Sequence, residues 1–184
     1  MLCSANPCIL VGAARGVLML ASVSRVSKFG LNDPAEGKRE VQTNPYNKVA
    51  SPNGWHVAGT HAYTTTIGNN GIAHENWKAG TEFLYNLRPD GGQSLTFNFP
   101  FNGSMEDPKS YIGAAVTQLF YIANIYHDFL ELLGFTEEAG NFEEVNKGPL
   151  GLGGDAVQLN AQDGSGFNNA NFATPPDGFR PRMV

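Results

Sequence analysis

The chain has 184 residues, of which 41% are hydrophobic, and its 12 basic and 17 acidic side chains give a formal net charge of −5. This length and apolar content suit one folded domain and exclude an intrinsically disordered chain. The acidic balance argues against nucleic acid or an anionic membrane surface as a partner, because neither attracts a negatively charged protein.

Residues 1–28 differ in character from the rest of the chain. Two short apolar runs flank Arg15, and neither reaches the roughly 20 residues of a membrane span. A secretory signal has Lys or Arg before its apolar run, and none precedes the first run here. Residues 21–24, however, resemble the small residues of a cleavage site. We predict that residues 1–28 are a leader, either disordered or a degenerate signal, and that a domain occupies residues 29–184.

The two cysteines, Cys3 and Cys8, both lie in this leader. A disulfide scaffold needs more pairs, spread along the chain, and an all-cysteine zinc site needs four ligands. The sequence therefore excludes both.

Short apolar segments separated by turn signals fill the chain from residue 29 to residue 103. The sequences Ser51-Pro52-Asn53-Gly54 and Gly68-Asn69-Asn70-Gly71 are two of these signals. Between the turns, residues 55–57 and 63–67 have strand propensity, and residues 94–99 alternate with period two, which predicts a half-buried strand.

One long helix is predicted next. Asp107 and Pro108 supply an N-cap and a first helical residue, and Gly134 ends the pattern. Apolar side chains recur at helical spacing between these limits on a wide stripe, so we expect the helix to be buried on more than one side.

Beyond the helix, residues 156–161 alternate as a strand, residues 163–166 form a tight turn, and residues 167–173 are a second, polar strand. The chain ends just after what looks like the start of another element. The expected fold class is α+β, with the domain incomplete at Val184.

No complete catalytic constellation follows from spacing alone. The four histidines, at positions 56, 61, 74 and 127, contain no His-x-x-x-His pair for zinc. His127 and Glu131 lie four apart on the predicted helix, which fits either part of a metal site or a hydrogen bond between a histidine and an acid. The adjacent acids at 137–138 and 143–144 are expected on a solvated face.

Several long strings of the sequence are specific enough to compare with known families. They are residues 30–37, 51–56, 65–73, 116–121, 127–129, 133–142 and, most extensively, 159–178. Together they resemble the start of the catalytic domain of the fungalysins, which are secreted fungal zinc metalloendopeptidases with a thermolysin-like fold. The resemblance covers roughly residues 29–184.

The resemblance implies a β-rich N-terminal lobe with one long buried helix, a zinc cofactor, protein or peptide substrates, and an inhibitory propeptide as a partner. It also implies that residues 168–172 are the edge strand that pairs with substrate, with Asn169 binding the substrate backbone through its amide and Ala170 through its main chain. The family's His-Glu-x-x-His motif does not occur in the 184 residues, which end before the helical zinc-binding lobe. We therefore expect a fragment of an extracellular enzyme that is inactive alone.

Two further hypotheses come from the residues. A non-catalytic secreted module that binds peptide or glycan is the alternative function, with Trp55, Trp77 and the tyrosines as stacking surfaces, although core packing is the more common use of such side chains. Asn102-Gly103-Ser104 is an N-glycosylation sequon if the chain is exported.

Overall fold

The computed structural model of the chain describes residues 9–10 and 21–184. Most of the predicted leader lies outside these residues. Besides one long helix, the described chain contains ten short strands and three 3₁₀ helices. The strands are β1 (Ile9–Leu10), β2 (Val23–Val26), β3 (Glu40–Thr43), β4 (Val57–Ala58), β5 (His61–Tyr63), β6 (Gly71–Glu75), β7 (Thr96–Phe97), β8 (Val157–Ala161), β9 (Phe172–Ala173) and β10 (Arg182–Met183); the 3₁₀ helices are Pro34–Glu36, Pro108–Tyr111 and Glu137–Ala139; and α1 is Ile112–Leu132.

The strands form three small sheets. The largest has the order β6-β8-β10-β9, in which β8 is parallel to both β6 and β10, and β9 is antiparallel to β10. The second sheet has the order β1-β5-β4 and the third β3-β2-β7. One long helix and several sheets confirm the predicted α+β class.

The helix begins slightly later than the capping residues predict. Asp107 accepts a hydrogen bond from the backbone N–H of Lys109 at 3.0 Å, but the turn it caps is 3₁₀, and α1 starts only at Ile112. At the other end, Gly134 adopts a φ of 103°, a left-handed conformation that glycine reaches without steric cost. The prediction of one long helix in this region is confirmed.

The main core lies where α1 packs against β6, β8 and β2. Its fully buried side chains include Val26 of β2, Val116 of the helix and Leu159 of β8. Of its 21 residues, α1 exposes only Tyr126, Phe129 and Leu132, which agrees with the wide apolar stripe that the sequence predicts.

The strand predictions succeeded best where apolar and polar residues alternate in the sequence, and they missed a strand that lacks this alternation. The strand predicted at 156–161 is confirmed over 157–161, whereas only residues 96–97 and 172–173 of the segments 94–99 and 167–173 are strand. Of the segments 55–57 and 63–67, only Val57 and Tyr63 lie in strands, with isolated bridges at Thr65 and Ile67. β6 was not predicted, yet it pairs with β8 along its whole length. Its Gly71, Ile72, Ala73 and His74 are all buried, between the parallel strand β8 and the packed helix, so they show no alternation.

The domain boundaries at residues 28 and 29 stay a prediction. Residues 23–26, on the leader side of that boundary, form β2 and contribute Val26 to the core. Within the described residues, no helix has the length and apolar character needed to span a membrane.

Candidate functional site

The exposed edge of the largest sheet is β9, which pairs with β10 on one side only. Asn171 and Val184 exchange two backbone hydrogen bonds of 3.1 and 3.0 Å next to this strand. Since backbone groups of a strand alternate in direction, the N–H and C=O of Phe172 point to the other side, where no described strand lies. This side is open for an added strand.

Asn169 and Ala170, the predicted substrate-binding residues, lie just before this strand and are both exposed. The Ala170 N–H donates to the side-chain Oδ1 of Asn169 at 2.9 Å. The two groups that the resemblance assigns to substrate therefore bind each other in this conformation.

An apolar groove of about 440 Å³ lies beside β9. Phe172 forms one wall and packs edge-on against Phe142, with ring centroids 6.0 Å apart. The helix forms the opposite wall through Ala123, Tyr126 and His127. The groove thus extends from the open strand edge to the only histidine of α1.

Behind the groove, His127 belongs to a cluster of charged side chains. Its Nε2 lies 3.4 Å from Oε1 of Glu143, and its Nδ1 lies 3.5 Å from Oδ1 of Asp128. Lys147 lies 2.5 Å from Oε1 of Glu131 and 3.7 Å from Oε1 of Glu143. The helix supplies His127, Asp128 and Glu131, and the segment that follows the helix supplies the other two.

Of the adjacent acids expected on a solvated face, residues 137–138 and 143–144, Glu138 is exposed and Glu144 is half-buried. The fold buries Glu143 completely, which corrects the expectation for this residue. Its backbone N–H donates to Asp155 at 2.8 Å, and its Oε2 accepts from Asn69 at 2.8 Å. Glu137 is buried as well, and its carboxylate accepts the backbone N–H groups of Lys147 and Gly148. Glu137 thus satisfies backbone amides of the following loop, and Glu143 accepts from a side-chain amide, in place of water. Adjacency in sequence did not indicate this.

The cluster shifts the ionisation of its members in opposite directions. Burial by itself lowers the pKa of His127, but the neighbouring carboxylates of Asp128 and Glu143 outweigh burial and raise that pKa to about 9. Burial raises the pKa of Glu143, yet His127 and Lys147 reverse this effect and lower it. For Glu131, burial dominates and the pKa is raised.

Asp128 joins the helix to the loops in front of it. One carboxylate oxygen accepts from the backbone N–H of Asn47 at 2.8 Å and from the indole N–H of Trp55 at 2.9 Å, and the other accepts from Ser51 Oγ at 2.6 Å. Asp128 is buried, so these three donors balance the cost of enclosing its charge. The sequence placed Asp128 near His127 but did not indicate these partners.

The remaining predicted residues lie elsewhere. Trp55 is buried in the core, and Trp77 is half-buried with Lys109 Nζ 4.7 Å from its ring centre. Asn102 is exposed in a turn in which its Oδ1 accepts from the backbone N–H of Ser104 at 2.9 Å. None of these three residues lines the groove.

Comparison with known proteins agrees with the resemblance seen in the sequence. The sequence model of the fungalysin metallopeptidase (M36) family matches residues 24–184. The chain therefore belongs to the fungalysin metallopeptidase family.

Individual relatives are similar over most of the chain. It is 55% identical over 159 residues to "Probable extracellular metalloproteinase 5" of Arthroderma benhamiae and 56% identical over 159 residues to "Extracellular metalloproteinase 10" of Coccidioides posadasii. It is also 55% identical over 159 residues to "Extracellular metalloproteinase mep" of Aspergillus fumigatus. Each match covers 86% of this chain and 25% of the relative, so the chain spans about a quarter of the length of these proteins.

Proposed function

We propose that the chain is the β-rich N-terminal lobe of the thermolysin-like catalytic domain of an extracellular zinc metalloendopeptidase, in which it holds the backbone of an extended peptide. Membership of the fungalysin family and the relatives' names, which describe extracellular metalloproteinases, support the class of enzyme. The observation that carries the binding role is the open outer side of β9. Protein or peptide substrates and the family's inhibitory propeptide are the partners in this proposal.

A peptide that adds to this edge gains backbone hydrogen bonds from Phe172, each worth about 0.5–1.5 kcal/mol net. To reach the main chain of Ala170, the peptide first displaces the side chain of Asn169 from the Ala170 N–H. The released amide of Asn169 is then free to bind the peptide backbone. Asn169 thus exchanges one internal contact for two substrate contacts, one accepted by Oδ1 and one donated by Nδ2, and recognition depends little on the peptide's side chains.

The family resemblance assigns the catalytic zinc to ligands that do not occur among the 184 residues. The resemblance implies two histidines of a His-Glu-x-x-His motif and a glutamate, whereas the group around His127 offers one imidazole and two carboxylates. The residues present do not fit that ligand set. In the family, bound zinc activates a water molecule for peptide hydrolysis; the chain's own contribution, as we propose it, is to bind and orient the substrate.

A binding assay tests the edge-strand role directly. The 184-residue chain is titrated into a fluorescently labelled extended hexapeptide, and the Kd is measured by fluorescence anisotropy. We expect Asn169→Ala to weaken binding by roughly fivefold, about the value of one hydrogen bond, and the matched exposed variant Asn53→Ala to leave it unchanged.

A second ligand makes the assay specific for backbone pairing. A hexapeptide of the same sequence with alternate backbone nitrogens methylated lacks the donors for one edge, so we expect it to bind at least about tenfold more weakly. Equal binding of the two peptides, or an equal Kd for Asn169→Ala and the wild type, refutes the edge-strand role.

An activity assay tests the inactivity that we propose for these 184 residues by themselves. Casein or a fluorogenic peptide is incubated with the purified chain and added zinc. No turnover above buffer is expected, because no His-Glu-x-x-His motif is present to hold the catalytic metal. Turnover that a chelator abolishes overturns the proposal.

The alternative of a secreted glycan-binding module receives less support from the structure. The ring of Trp55 is enclosed in the core and its N–H is bound to Asp128, so it offers no stacking surface. Lys109 lies over the ring of Trp77. In the same anisotropy assay, saturable binding of a labelled oligosaccharide in place of the peptide favours the alternative.

We also propose that Asn102 is N-glycosylated when the chain is exported. Its side chain is exposed, and it lies in a turn that leaves the sequon accessible. Expressed in a yeast secretory host, the chain is expected to carry additional glycan mass that an endoglycosidase removes. We expect this mass to be absent from Asn102→Gln and present in Ser104→Thr. An unmodified secreted product contradicts this assignment.

A further inference from the structure

Three side chains of the types that bind transition metals converge at the C-terminal half of α1. His127 and Glu131 are four residues apart and so lie on the same side of the helix. Glu143 approaches from the following segment, and one ligand atom of each residue lies within 4.8 Å of the other two. Zinc bonds to nitrogen and oxygen are ~2.0–2.2 Å long, so the three atoms have to approach to within roughly 4 Å of one another to share one ion.

A second observation points to a ligand at this place. The Nε2 atom of His127 is buried and has no hydrogen-bond partner among the described residues, although Oε1 of Glu143 lies 3.4 Å away. The side chain of His127 is only 10% exposed. The Nε2–H group thus faces the carboxylate without a satisfactory hydrogen bond. A metal ion that takes the place of this proton, which is released to solvent, binds Nε2 and the carboxylates together.

The orientation of the imidazole suits metal binding. Its other nitrogen, Nδ1, faces the carboxylate of Asp128 at 3.5 Å. A carboxylate that accepts the second ring N–H is the usual outer partner of a metal-binding histidine, because it fixes the tautomer and the ring plane. Asp128 is itself held by Asn47, Ser51 and Trp55, so this partner is rigid.

Lys147 competes for the same carboxylates. Its ammonium lies 2.5 Å from Glu131 and also donates to the carbonyl oxygen of Ala50 at 2.8 Å. The lysine side chain is 32% exposed, whereas that of Glu143 is fully buried. The ammonium can therefore turn into solvent at small cost, while the histidine and Glu143 stay in place.

We propose that His127, Glu131 and Glu143 bind a divalent transition-metal ion, with zinc as the best match, and that the ion displaces the ammonium of Lys147 and clamps α1 to the segment that follows it. One imidazole with two carboxylates suits zinc and its first-row neighbours, whereas calcium and magnesium prefer oxygen ligands alone. Two carboxylates neutralise the two charges of the ion, and water completes its coordination. The inference is independent of the proposed peptidase role.

Zinc binding to the 184-residue chain tests this proposal. The protein carries the substitutions Cys3→Ser and Cys8→Ser, so that the two cysteines do not contribute. The Kd and stoichiometry are measured by isothermal titration calorimetry. We expect one zinc ion per chain. His127→Gln and Glu143→Gln are each expected to weaken binding by at least about tenfold, and His61→Gln, which changes an exposed histidine outside the cluster, to leave it unchanged.

Lys147→Met distinguishes a metal site from an ordinary ion-pair network. If the lysine competes with the ion, its removal is expected to tighten zinc binding by roughly tenfold and to enlarge the increase in Tm that zinc produces. A structural network alone predicts lower stability in this variant and no gain in affinity. This variant leaves all three proposed ligands in place, so it remains informative if His127→Gln fails to fold.

The absorption spectrum of bound cobalt reports on the ligands themselves rather than on the Kd. Co²⁺ bound by one nitrogen and oxygen ligands in the folded chain is expected to give visible d–d absorption that His127→Gln removes and His61→Gln retains. Three results overturn the proposal: no zinc bound above background, affinity that His127→Gln and Glu143→Gln do not change, or affinity that Lys147→Met leaves unchanged or weakens.

Discussion

The buried His56 is expected to make the stability of the fold depend on pH. Its ring is enclosed between Phe97 and Phe120, with centroid distances of 5.0 Å to each, and its Nδ1 lies 2.9 Å from the carbonyl oxygen of Thr65. The carbonyl accepts, so Nδ1 carries the proton of a neutral imidazole. Burial lowers the pKa of His56 to about 4, against the smaller opposing effect of the Thr65 carbonyl.

The folded and unfolded states protonate His56 at different pH values. The unfolded chain protonates His56 near its ordinary pKa of about 6.5, whereas the folded chain resists protonation until about pH 4. Between these values the unfolded state binds more protons, so the free energy of unfolding falls as pH falls from 6.5 to 4. The loss from this residue is about 2 kcal/mol at pH 5 and reaches about 3 kcal/mol below pH 4.

Urea unfolding, followed by tryptophan fluorescence between pH 7.5 and pH 4.5, measures this loss. Because carboxylates also titrate in this range, the test is the difference between the wild type and His56→Gln, which removes the titrating ring and keeps a donor for Thr65. We expect His56→Gln to lower stability at pH 7.5 and to show the weaker pH dependence, with the exposed-residue control His61→Gln following the wild type. Parallel pH profiles for wild type and His56→Gln refute the reasoning.

Two further substitutions, each with a control, test other contacts. Asp128→Asn removes the charge that Trp55 and two other donors stabilise. We expect this variant to lower the free energy of unfolding, measured in urea, by about 3 kcal/mol. The control Glu138→Gln, at an exposed residue, is expected to change that free energy by less than about 0.5 kcal/mol. Equal stability of the Asp128 and Glu138 variants contradicts the assignment of Asp128 as the residue that joins the helix to the loops. Gly68→Ala places a Cβ 1.4 Å from the backbone oxygen of Trp55, so we expect little folded protein by circular dichroism, while Gly103→Ala, with open space around it, is expected to fold normally. A cooperative melt of Gly68→Ala at the wild-type Tm shows that this close approach is not required.

The sequence predicts the elements that are determined by residues close together along the chain. The cap at Asp107 and Pro108, the apolar periodicity and Gly134 are enough to locate α1, and alternation is enough to locate β8. β6 could not be found in this way, because a strand with β8 beside it and α1 packed against it carries no alternation. Its identity depends on the partner strand, which is more than 80 residues away in the sequence.

The same distinction separates the predicted and unpredicted parts of the charged cluster. Helical spacing brings His127 and Glu131 together, and both a hydrogen bond and a metal site were consistent with that pair. Glu143 joins them only because Asn69 and Asp155, on two other segments, hold its carboxylate and its backbone N–H. An acid next to another acid in the sequence usually faces water, so only the tertiary structure shows that this one is buried.

His127 belongs both to the wall of the groove beside β9 and to the charged cluster, and this dual position decides which variant separates the two proposals. Replacing His127 changes the groove and the cluster together, so a combined loss of peptide and zinc binding in that variant does not distinguish them. Glu131 does not line the groove, and its carboxylate contacts Lys147 within the cluster. Glu131→Gln is therefore expected to weaken zinc binding while peptide binding at Asn169 and Phe172 stays unchanged. If peptide affinity falls in parallel, the cluster positions the strand edge, and the two features act as one site.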